Sequence, residues 1–185
     1  MDESMLFEKK ISGEEIFSGV ILHVVKDKVE LPNGKTSSRE LIRHNGAVGV
    51  VAMTEDGRVC IERQYRYPID LVITEIPAGK LDNPDEDRLS AAKRELREET
   101  GLTADSWDFL GTCYSAGAYT DEKITLYLAR GLHQGEQQLD EGEFLNVGYK
   151  PLDELIEDIM NDKIPDGKTQ IALLKTAEFL KRKQM

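Results

Sequence analysis

Three glutamates, Glu95, Glu98 and Glu99, stand at i, i+3 and i+4 in the run Arg94-Glu95-Leu96-Arg97-Glu98-Glu99-Thr100-Gly101-Leu102. On a helix with 3.6 residues per turn, Glu98 lies about 60° to one side of Glu95 and Glu99 about 40° to the other. One face therefore carries all three carboxylates. Leu89, Ala92 and Leu96 form the neighbouring stripe, whereas Lys93 and Arg97 point away. Like charges one turn apart cost a helix about 0.2–0.5 kcal/mol. An acidic face beside the core is thus unfavourable unless something positive is held there. Oxygen donors with no sulfur or imidazole nearby suit a hard divalent cation, Mg²⁺ or Mn²⁺. Glutamates on helices are ordinarily a solvated face, but the flanks argue for more. Gly101 falls where a helix wants a C′ glycine. Arg94, one turn before Glu98, can orient the carboxylates through charged hydrogen bonds.

The longer segment GKLDNPDEDRLSAAKRELREETGL, residues 79–102, resembles the signature of the Nudix hydrolases, G-x5-E-x7-R-E-U-x-E-E-x-G-U with U aliphatic. Arg94, Glu95, Leu96, Glu98, Glu99, Gly101 and Leu102 match position by position. Seven residues separate Glu86 from Arg94, as the pattern asks, but six rather than five separate Gly79 from Glu86. The extra residue is assigned to the loop of Leu81 to Asp85, where Pro84 favours a turn. Asp85 is the other candidate for the first acid position.

The elements that must position this face are mostly strands in the first half of the chain. Period-2 patterning predicts strands over Ile16–Val25, Lys28–Leu31, Ser37–Ile42, Ala47–Met53, Val59–Gln64 and Leu71–Ile76. Asn33-Gly34 is a strong hairpin signal, and Glu55-Asp56-Gly57 marks a second hairpin. The acidic helix is expected from about Asp87 to Thr100. Further strands are expected at Trp107–Tyr114, Lys123–Ala129 and Phe144–Tyr149. A helix should follow with Pro151 in its first turn, and a last one from Lys168 to Lys183. Strands on both sides of a helix, followed by helices, indicate an α+β layered domain. The resemblance makes this an α/β/α sandwich with a mixed sheet, residues 45–185. Residues 1–44 are then an added N-terminal β-strand subdomain.

The composition bounds the function. With 185 residues and 39% hydrophobic content the chain can form one core. No apolar run approaches the ~18 residues of a membrane span. The N-terminus MDESMLFEKK is acidic and lacks a signal-peptide core, so a cytoplasmic protein is expected. Cys60 and Cys113, each in an apolar, strand-like context, read as two buried cytosolic thiols, with no Cys/His metal spacing. A formal charge of −11 argues against a nucleic-acid partner. It also means that an anionic substrate needs local cations.

What the family does supplies the remaining expectations. Nudix enzymes hydrolyse a nucleoside diphosphate linked to another moiety. The resemblance implies a metal shell of Glu95, Glu98, Glu99 and the carbonyl of Ala78, with Arg94 orienting. Three segments resemble the ADP-ribose pyrophosphatase branch: residues 41–48 (LIRHNGAV), 61–68 (IERQYRYP) and 75–80 (EIPAGK). That branch implies Arg66 on the diphosphate. It also implies N-terminal strands exchanged in a homodimer, with Arg43 approaching the adenine, and a substrate contact at Glu122. In Asp140-Glu141-Gly142-Glu143, Glu141 maps to the general base and Glu143 to a further metal ligand. The branch usually carries Ser-Pro-Gly downstream of the helix, and here Ala116 stands between Ser115 and Gly117. Broader nucleoside-diphosphate-sugar hydrolysis, or a silent nucleotide-binding module that regulates a partner, are the alternatives to ADP-ribose cleavage.

Overall fold

The computed structural model describes residues 3–184. They fall into two compact units. One is Met1–Asn45 with Tyr114–Lys123, and the other is Gly46–Cys113 with Ile124–Met185.

The first unit contains a three-stranded antiparallel sheet, β1 (Lys9–Ser18), β2 (His23–Glu30) and β3 (Thr36–Arg43), in that order. Asn33-Gly34 makes the β2–β3 turn as expected. Gly34 takes a φ of 77°, and the Asn33 side chain accepts from the Lys35 amide at 3.1 Å. The single strand expected over Ile16–Val25 is instead two strands. The chain reverses at Gly19, whose N–H donates to the Leu22 carbonyl at 2.9 Å, and Ser18 pairs with His23. The apolar run Val20-Ile21-Leu22 imitates a strand but sits exposed at the tip.

The second unit is built on a seven-stranded sheet. Its strands are β4 (Ala47–Met53), β5 (Arg58–Arg66), β6 (Leu71–Glu75), β7 (Ala78–Lys80), β8 (Leu102–Tyr114), β9 (Lys123–Gln134) and β10 (Leu145–Pro151). The main order is β10-β5-β4-β9-β8, with β6 on β5 and β7 on β4. β4 and β9 run parallel and the pairs β10–β5, β5–β6 and β4–β7 antiparallel, so the sheet is mixed. The three-residue strand β7 was not among the expected strands.

β4 shows why this is a sandwich. Every residue of it is buried, and its two faces alternate. Ala47, Val51 and Met53 pack with Leu155 of α2 (Leu152–Met160) and Leu173 of α3 (Gly167–Gln184). Val48, Val50 and Ala52 pack with Ala91, Ala92 and Leu96 of α1 (Arg88–Thr100). Helices thus cover both faces. Asp87 caps α1 through the Ser90 amide at 2.8 Å, and Gly101 ends it at a φ of 74°. Pro151 lies just before α2 rather than in its first turn, with extended backbone. It closes β10 opposite Arg58, at the end of the strand where a missing N–H is tolerated.

Candidate active site

The acidic face of α1 lies against β7, and glycine makes that possible. A Cβ on Gly79 would sit 2.0 Å from the Glu95 carboxyl carbon, so only a bare backbone admits this approach. Glu99, which is 5% exposed, accepts from the Ala78 N–H at 2.8 Å. Lys93 and Arg97 are exposed and Leu96 is buried, as the helix phase requires.

Arg94 organises the face. Its Nη1 donates to Glu95 at 2.7 Å and to Glu98 at 3.2 Å, and its Nη2 to Glu86 at 3.3 Å. Glu86, not Asp85, therefore fills the first acid position. Its other oxygen accepts from the Asp82 amide at 2.8 Å, which closes the longer loop.

Two acids from outside α1 join the cluster. Glu143 raises the pKa values of Glu62, Glu95 and Glu99, so it lies within electrostatic reach of all three. Glu141 is exposed on the adjoining turn, where the Glu143 amide donates to the Asp140 carbonyl at 3.0 Å and Gly142 takes a φ of 88°. That turn follows a segment fastened to the end of α1. Gln138 N–H donates to the Glu98 carbonyl at 2.9 Å, and Gln134 Nε2 to the Thr100 carbonyl at 3.1 Å.

Glu62, the second of these acids, had no assigned role in the sequence. It is 3% exposed, and its Oε1 has no hydrogen-bond partner among the described residues. Its signal was an acid at an inward position of β5, two residues after the buried Cys60. Glu75, directly opposite it on β6, is equally buried. Arg66 donates from Nε to both Glu75 oxygens, at 3.1 and 3.0 Å.

Arg43 and Glu122 belong to the first unit. Arg43 pairs with Asp121 at 2.9 Å and Asp27 at 3.5 Å, and Glu122 lies 3.6 Å from His44.

The cluster is electrostatically unfavourable by itself. Burial, with Glu98 and Glu143 adding to it, outweighs Arg94 and pushes Glu95 up to about 7. Glu62 and Glu99 are both held above the ordinary carboxylate range, by burial first and then by acidic neighbours. Among the described residues no three acid, His or Cys side chains stand in ready metal geometry. Arg94 holds oxygens of Glu95 and Glu98, and the Ala78 amide one of Glu99, instead. The donor chemistry nonetheless fits a hard divalent cation, since every group is an oxygen acid and an oxygen of Glu62 is buried without a donor.

A pH dependence follows. Between the ordinary 4.5 of a carboxyl and about 7 for Glu95, the folded state binds more protons than the unfolded one. Stability of the metal-free protein is expected to fall across that window as pH rises, by about 1.4 kcal/mol per pH unit for each extra proton held. Thermal melts from pH 5 to 8 measure this, and added divalent cation should flatten the slope. Melting temperatures that climb with pH in EDTA would contradict it.

A model of the NUDIX domain matches residues 43–171. The chain belongs to the Nudix family. It is 44% identical to the methanol dehydrogenase activator of Bacillus methanolicus, over 96% of this chain and 98% of the relative. It is 39% identical to the ADP-ribose pyrophosphatase of Bacillus subtilis, over 91% of each chain. A solved structure of an ADP compounds hydrolase superposes with a TM-score of 0.82 at 25% identity, covering 95% of both chains. The chain is thus an enzyme of the Nudix hydrolase class, and the Arg94–Glu95–Glu98–Glu99 face is its family signature.

Proposed function

We propose that this Nudix hydrolase cleaves ADP-ribose to AMP and ribose 5-phosphate with a divalent cation, Mg²⁺ as the resident ion and Mn²⁺ as a substitute. The observation that carries the reading is the likeness to the B. subtilis ADP-ribose pyrophosphatase over 91% of each chain. Ala78, Glu95, Glu98, Glu99 and Glu143 would hold the cation. When bound, it neutralises diphosphate charge and makes water a better nucleophile. Glu141 takes the proton from the attacking water. The water oxygen bonds to one phosphorus as the bridging P–O bond breaks. Arg66 binds the diphosphate, and Arg94 keeps Glu95 and Glu98 aligned. A panel of ADP-ribose, ADP-glucose and other nucleoside diphosphate sugars, ranked by kcat/KM with Mg²⁺ and Mn²⁺, tests the assignment. Comparable values across the panel would favour the broader hydrolase, for which Ala116 in place of proline is the supporting feature.

The methanol dehydrogenase activator supports a second reading, a nucleotide-binding module that regulates a partner enzyme. Binding alone does not need buried acids crowded against Gly79, so hydrolysis is preferred. Tight ADP-ribose binding without turnover would reverse that preference.

The assembly proposed is a cytoplasmic homodimer with residues 1–44 exchanged and residues 45–185 as the hydrolase domain. No helix of the described residues is long and apolar enough to cross a membrane. Phe7, Ile11, Ile16, Phe17 and Ile21 are exposed in the first unit, an apolar surface that a second copy would cover. Arg43 and Glu122 would then contribute to a shared substrate site. Deleting residues 1–44 is expected to abolish both dimerisation and ADP-ribose affinity. A truncated monomer with full activity, by light scattering and kinetics, would refute the exchange.

A further inference from the structure

Arg66 does not stand alone in the second unit. Its Nε and Nη2 are engaged by Glu75, while Nη1 is bonded by no side chain among the described residues. Glu75 is gripped from its other side by Lys168 of α3, whose Nζ lies 3.3 Å from Glu75 Oε1. Lys168 is itself oriented by Asp166 at 3.0 Å. Asp166 also accepts from the Thr169 amide at 2.9 Å, and the Thr169 hydroxyl accepts from the Ile76 N–H at 3.0 Å. Four charges of alternating sign therefore run from Asp166, just before α3, through Lys168 and Glu75 to the Arg66 fork. The side chains of Glu75 and Lys168 are only 4% and 13% exposed, so water weakens this chain little.

The register explains why Lys168 is needed. Glu62 and Glu75 are directly opposed across β5 and β6, and both are buried. Like charges so placed repel. With Arg66 as the only nearby cation, its guanidinium would be drawn between two carboxylates. Lys168 supplies a second cation to Glu75. Glu75 can then hold Arg66 by one edge of the fork and leave the other edge for an anion, the bidentate use to which guanidinium is suited.

We propose that Glu75 and Lys168 are positioning residues that fix the Arg66 guanidinium for the substrate diphosphate, so that the start of α3 sets substrate affinity. The inference rests on the reading that this site takes a nucleoside diphosphate through Arg66.

A double-mutant cycle on the 185-residue chain tests it, with ADP-ribose as substrate. Lys168→Met in the native background is expected to raise KM about tenfold with kcat within about twofold, inside the range over which neighbouring residues couple. Lys168→Arg, which restores the charge, is expected to recover most of the affinity. In an Arg66→Ala background, itself raised in KM, Lys168→Met should add less than about twofold. Removing one partner of a buried pair can destabilise the fold. If circular dichroism shows that Lys168→Met is unfolded, Glu75→Gln replaces it in the cycle with the same expectations. Equal fold-changes in both Arg66 backgrounds, or a native KM in Lys168→Met, would overturn the positioning role. A native KM in Arg66→Ala would instead overturn the diphosphate reading.

Discussion

Replacing Glu99 with Gln is expected to reduce turnover about 10²–10³-fold while leaving the protein folded. A metal-bound diphosphate draws several kcal/mol of charge stabilisation from its ion, and each ~1.4 kcal/mol is tenfold in rate. Losing one charged ligand removes a large part of that. The fold survives because glutamine keeps the size of the side chain, its helix propensity and the oxygen that accepts from the Ala78 N–H at 2.8 Å. Neutralising this position also relieves its repulsion with Glu62. The metal-free melting temperature should therefore hold steady or rise even as activity collapses. Near-normal activity at saturating Mg²⁺ would remove Glu99 from the metal shell.

Glu141→Gln is expected to lower kcat by about 10²–10⁴-fold, the usual contribution of a positioned base, with little change in KM. With Glu95, Glu98 and Glu99 proposed to hold the metal, and Glu95 and Glu98 bonded to Arg94 as well, proton removal needs another carboxylate. Glu141 is exposed on a turn whose preceding segment is fastened to the end of α1. Such a turn can move towards the water as substrate binds. Contacts to the ground-state diphosphate stay in place, which is why KM is spared. Glu143→Gln should act differently and raise the metal concentration needed for half-maximal rate. A nearly silent Glu141→Gln together with a crippled Glu122→Gln would move the base to the loop before β9.

The residues that made this chemistry legible were those fixed by local geometry. The 3.6-residue period set the acidic face, Gly101 set its end, and Asn33-Gly34 set a hairpin. Each depends on neighbours close in sequence. The misses depended on contacts between distant segments. β7 is a strand only because β4 offers its edge, with Val48 opposite Gly79. Val20-Ile21-Leu22 has strand composition but lies where the chain reverses. Glu62 and Glu75 became a buried pair only once β5 and β6 were in register. Lys168 reaches Glu75 from a helix far later in the chain, and no periodicity announces such a contact.

The central claim is metal-dependent hydrolysis of the ADP-ribose diphosphate at the α1 face. The most direct measurement is ³¹P NMR of purified protein with ADP-ribose, in EDTA and after adding Mg²⁺. The account predicts an unchanged diphosphate signal in EDTA. Added Mg²⁺ should replace it with the phosphomonoester signals of AMP and ribose 5-phosphate, and Glu99→Gln should suppress that conversion. An intact diphosphate with Mg²⁺ or Mn²⁺ present, or equal cleavage in EDTA, would contradict it.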